Sequence, residues 1–145
     1  MRWVYLAIAL VGVAVVSAQY FRPPLPGHKL SDAEAIKSAS DVVVATFTKL
    51  GMALPSSAGE ADFSGAEIEI VSDLKGVLSG KVAVSYTVIG IGEDRESVPV
   101  AGTQYILFMS GPSTYPDISK ILPATGGQIA WIKAMIAAAT APATK

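Results

Sequence analysis

The chain has 145 residues, of which 51% are hydrophobic and 16% charged, with a formal net charge of -1 and no cysteine. The absence of a basic stripe speaks against nucleic acid, whose binding rests on neutralising phosphates with Lys and Arg. The absence of cysteine excludes disulfides and thiol-linked lipid, so a small domain of this kind must hold together through its core.

Met1-Arg2 is a short positive start, and Trp3 to Val16 carries no charged or strongly polar side chain. Val16 and Ala18 place small residues where a signal peptidase reads, so residues 1–18 have the layout of a secretory signal peptide cut before Gln19. Loss of Arg2 with this leader would take the net charge to -2. The alternative is an inner-membrane anchor formed by residues 3–18, although a spanning helix needs about 20 apolar residues. Either way the body of the chain is expected outside the cytoplasm, in the periplasm or the extracellular space.

Residues 19–30 form a Pro-rich linker in which Pro23, Pro24 and Pro26 favour an extended spacer. The prolines at 23 and 26 also match a PxxP ligand, a pattern read mostly by cytoplasmic adaptors and therefore at odds with export. His28, the single histidine, lies in this linker, a poor holder for a catalytic imidazole. Residues 31–139 should form one globular domain, the length of an ordinary single core. Ser31 and Glu34 have capping-box spacing, which predicts a short helix to about Ser38.

Val42 to Lys49 is β-branched and aromatic and reads as a strand. Gly51 to Gly65 reads as a long loop or loose hairpin tip. Ala66 to Ile70 alternates, with Glu67 and Glu69 on a solvated outer face, where they would lack the burial that acid–base carboxylates need. Lys81 to Ile89 is the next strand. Gly90-Ile91-Gly92 is only a fragment of a dinucleotide fingerprint. Glu93 to Glu96 reads as a solvated hairpin tip rather than a calcium loop. Tyr105 to Met109 is apolar on both faces, as in a strand covered on two sides. Ile118 to Leu122 is a short last strand.

Leu122-Pro123-Ala124-Thr125-Gly126 matches the LPxTG signal of sortase substrates. The residues after Gly126 lack the membrane span and basic tail of a sorting signal, so Thr125 reads better as the N-cap of an amphipathic C-terminal helix, with Gln128 at capping-box spacing. Ile129, Ile132, Met135, Ile136 and Ala139 form its stripe. Trp131 lies off this stripe and, with Tyr115, is the candidate partner surface; Tyr105 and Phe108 are further aromatic candidates. Residues 140–145 should fray.

This order predicts a mainly β fold, a small antiparallel β-barrel or sandwich with a short N-terminal helix and the C-terminal helix. An α+β sheet is the runner-up. The segments Asp41-Val42-Val43-Val44-Ala45, Leu74-Lys75-Gly76 and Gly102-Thr103-Gln104-Tyr105-Ile106-Leu107-Phe108 resemble a group of exported bacterial domains with OB-like, netrin-like barrels. Those domains are similar in turn to tissue metalloproteinase inhibitors. The resemblance implies a barrel of the cell envelope. It does not carry protease inhibition, because the inhibitors depend on an N-terminal cysteine and disulfides.

No catalytic, cofactor or metal set is identified. The expected function is a non-enzymatic interaction or structural module of the envelope, with an unidentified protein or envelope component as partner and membrane contact only through an uncleaved leader. The alternatives are a barrel that binds a ligand or peptide at its mouth, a cell-wall protein attached through Leu122 to Gly126, and a carboxylate hydrolase.

Overall fold

A computed structural model describes residues 24–55, 59–90 and 95–140. The expected leader, the expected cleavage residues Val16, Ala18 and Gln19, the tail beyond residue 140 and the acidic pair Glu93 and Asp94 lie outside the described residues. In chain order the elements are α1 (Asp32–Ser38), β1 (Asp41–Lys49), β2 (Met52–Pro55), β3 (Glu60–Lys75), β4 (Lys81–Ile89), β5 (Gln104–Ser110), β6 (Asp117–Pro123) and α2 (Gly126–Thr140).

The sheet runs β1-β5-β6-β4-β3-β2, and β1 also pairs with β3. That extra pairing closes five of the strands into a barrel and leaves β2 as a flap on β3. The expectation of an antiparallel barrel needs one correction. β4 and β6 run parallel, joined only at Ser85↔Asp117 and Tyr86↔Ile118.

Alternation along β1 and β5 explains why helices cover one side of the barrel. Side chains of a strand point to opposite faces in turn. Val43, Ala45, Phe47, Tyr105, Leu107 and Met109 point inward and belong to the barrel core. Val42, Val44, Ile106 and Phe108 point outward and are equally buried, beneath Ala35 and Ile36 of α1 and Ile132 and Ile136 of α2. The register places Val42 beside Phe108 and Val44 beside Ile106, so the outer apolar set is one continuous patch.

Side chains fill the barrel. Phe47 meets Tyr86 and Tyr105 edge to face at 5.6 and 6.0 Å, and Phe63 stacks on Tyr86 at 4.8 Å. The Tyr86 hydroxyl donates to the Leu50 carbonyl at 2.8 Å, and burial pushes its pKa well above the usual tyrosine range.

The region 51–65, expected as a long loop or a loose hairpin tip, is a hairpin in which β2 pairs antiparallel with the first part of β3. A register shift between Phe63 and Ala66 marks a bulge, and Gly65 within it adopts φ +72°. The bulge changes the parity of the inward positions from Phe63 to Ala66 and Ile68, which breaks the alternation that sequence reading depends on.

Residues 24–30 also differ from the free spacer that their prolines suggest. They lie as a strap along β6 where β4 no longer pairs with it. Ile121 N donates to Pro26 O at 3.0 Å, and Ser97 N donates to Pro24 O at 2.8 Å. Glu96, expected at a solvated tip, is only 3% exposed. Its carboxylate accepts from Gly27 N at 3.0 Å, Ile89 N at 3.0 Å and His28 Nδ1 at 2.8 Å. From the other side, the buried Lys120 ammonium donates to Gly27 O and Leu30 O and lies 3.6 Å from Asp32. Two buried charges therefore grip the backbone that leads into α1, and they fix where that helix begins.

Candidate functional site

Ser31 ends the strap and starts α1 by accepting from Glu34 N at 3.2 Å. The far end of α1 is held by Lys75, whose Nζ donates to the carbonyls of Ile36 and Ala39 at 2.8 and 2.7 Å. A cation on the last carbonyls satisfies acceptors that a helix leaves open and complements its dipole. Beside this cap, the mostly buried Asp41 accepts from Val77 N at 3.2 Å and from the Ser40 hydroxyl at 3.1 Å. Gly76 makes room for it, since a Cβ there would sit 2.0 Å from Asp41 Oδ1. The motifs Asp41 to Ala45 and Leu74 to Gly76 thus meet at one structural joint. Partial burial, and then the Asp41 charge, raise the pKa of the nearby Asp73 carboxyl above its ordinary value.

α2 begins at Thr125, whose hydroxyl accepts from Gln128 N at 3.1 Å. The Leu122 to Gly126 motif therefore ends a barrel strand and caps a helix. α2 buries Ile132 and Ile136 and half-buries Ile129 and Met135. Its outer face is not polar as an amphipathic helix requires. Beyond Gln128 and Lys133 the exposed positions up to residue 139 are alanines and Trp131, which is 56% exposed. The helix is apolar nearly all round, a composition that points to contacts on more than one side.

Between α1 and α2 an open cleft of about 470 Å³ remains. Ala33, Ile36 and Lys37 form one wall, Met135, Ile136 and Ala139 form the other, and Lys75 closes one end. Its surface is mainly apolar, and among the described residues no carboxylate lines it. Small side chains create it, because Ala33 and Ala139 are too short to fill the gap that Ile36 and Ile136 span.

The aromatic candidates do not converge. Tyr105 is inside the barrel, with its hydroxyl accepting from Val100 N at 2.8 Å, and Phe108 is buried under the helices. Tyr115 is 39% exposed and receives Gly65 N at 2.9 Å, so it braces the β3 bulge. Trp131 alone presents a large aromatic surface on α2. Glu67 accepts from the Thr48 hydroxyl at 2.9 Å, and Glu69 is exposed opposite Lys81.

Among the described residues no group of three or more His, Asp or Glu side chains is placed to hold a metal ion. No helix among them is long and apolar enough to cross a membrane. Neither a family model nor a curated protein matches this chain.

Proposed function

We propose that this chain is an exported, non-enzymatic interaction module of the cell envelope, built on an OB-like barrel, that engages its partner through the cleft between α1 and α2. The observation that carries the reading is the contrast between two places. The barrel interior is packed with Phe47, Tyr86, Leu107 and Met109, all at most 1% exposed. The cleft outside it is apolar, open and framed by rigidly capped helices. Binding sites are typically concave and mostly apolar with few polar groups, which is the character of this cleft. Strand order supports the OB-like assignment. Taking the five barrel strands in chain order, neighbours run first, second, third, fifth, fourth and back to first, with the third and fifth parallel. The leader read from residues 1–18 supports export.

A photo-crosslinking amino acid at Ala33, in the full chain expressed in its own host, tests this. The expected result is a discrete crosslinked species in the envelope fraction, absent when the probe sits at the remote, exposed Thr103, together with a mature mass that begins at Gln19. Crosslinks of equal yield from both positions, or protein found wholly in the cytoplasm, would refute it.

A further inference from the structure

Resting on the reading of the cleft as the binding surface, we infer that its ligand is a single-chain aliphatic anion, such as a medium-length alkyl carboxylate. Three observations point there. Apart from Lys37 and Lys75, the described lining is hydrocarbon, from Ile36 and Ala33 on α1 to Met135, Ile136 and Ala139 on α2. The polar groups at the edge are both cationic, Lys37 and Lys75, with no carboxylate in the described lining to neutralise them. Lys75 is engaged with two carbonyls of α1, whereas Lys37 is exposed and makes no ion pair among the described residues. The apolar body and cationic rim match an alkyl chain with a negative head.

Size narrows the class. About 470 Å³ lies toward the lower end of the range for sites that take one small molecule. It suits one chain rather than a two-chain lipid or a bilayer patch. The groove is open on one side, which lets a head group stay hydrated beside Lys37 while the chain lies against Ile136.

The test uses the whole mature chain with methyl-labelled Met and Ile, titrated with octanoate, decanoate and 1-decanol below their micelle thresholds. Decanoate is expected to shift the Met135 and Ile136 methyl signals. Each added methylene should tighten binding by up to about fourfold until the cleft is full. Lys37→Glu should weaken decanoate about fivefold or more while leaving 1-decanol unchanged. Ala33→Trp should abolish both, and Ala139→Glu, an independent exposed substitution, should repel the anion. The inference fails if no probe moves these methyls, if decanol binds as tightly as decanoate, or if Lys37→Glu has no effect. It also fails if the free protein is a dimer that Ala33→Trp makes monomeric, because a second copy then fills the cleft. Loss of probe binding with the Ala33 crosslink intact would refute the ligand class and leave the interface standing.

Discussion

Replacing Glu96 with Ala tests whether the strap is part of the fold. The carboxylate is 3% exposed and accepts from two backbone amides and the His28 ring. Removing it takes an acceptor from the amides of Gly27 and Ile89 and leaves the strap held by the buried Lys120 and by the backbone bonds from Ser97 and Ile121. Breaking one side of a buried charged network costs about 3–5 kcal/mol, much of it from the partners left behind. We expect about 4 kcal/mol for Glu96→Ala. Glu96→Gln keeps the shape and one good acceptor and should cost about 2 kcal/mol. His28→Ala removes one partner whose side chain is 33% exposed and should cost about 1 kcal/mol. With a urea slope of about 2 kcal/mol/M, the midpoints should fall by roughly 2, 1 and 0.5 M in that order. Circular dichroism during urea titration measures them. Trypsin cleavage after Lys29 in the absence of urea should accelerate in the same order, because it reports strap release directly. A shift below about 0.5 M for Glu96→Ala, or an equal shift for His28→Ala, would refute the clamp.

Other substitutions test the joint and the core. Gly76→Ala combines φ +102° with a Cβ 2.0 Å from Asp41 Oδ1, and should destabilise by about 2 kcal/mol or more. Adding Asp41→Ala should recover part of that loss, a coupling that a double-mutant cycle in urea reads out. Tyr86→Phe strips the donor from the Leu50 carbonyl and should cost about 1–2 kcal/mol, seen as a lower thermal midpoint with an unchanged fold by circular dichroism. Asp73 holds its proton to higher pH in the folded chain than in the unfolded one. Its contribution therefore favours folding at low pH and declines as pH rises from about the ordinary carboxylate value through the raised one. Asp73→Asn should remove that decline, with a small effect because the residue is largely solvated. Stability measured from pH 3 to 7 checks the sign.

Local periodicity made most of the barrel readable. β1, β4, β5 and β6 are visible as runs of Val, Ile, Tyr and Phe, and the two-sided burial of Tyr105 to Met109 follows from having no polar position. β2 and the start of β3 are hidden because Gly65 shifts the alternation in mid-strand and because Ala61 and Asp62 give little signal. The burial of Glu96, which reads as part of a solvated tip, and of Lys120 is not visible in the sequence, since their contacts to the strap span 69 and up to 93 residues and no local pattern encodes such a pairing. The cleft is invisible for a different reason. It consists of what alanines at 33 and 139 fail to fill once two distant helices are laid on one sheet patch. Trp131, off the apolar stripe in the sequence, is exposed on a helix face that is otherwise mostly alanine.

The short parallel seam has a consequence for the order in which the chain assembles. Only two residue pairs join β4 to β6, and the strap completes that wall by reaching from residue 24 to residue 121. The earliest part of the folded body to be synthesised therefore waits for nearly the latest before it finds its partners, and closing so long a loop slows folding. Until β6 arrives, the Ile118 and Ile121 positions are missing from the wall and the half-built cylinder exposes its aromatic lining. An incomplete chain of this kind is a target for strand exchange and aggregation, so a nascent molecule needs shelter until its last strand has emerged.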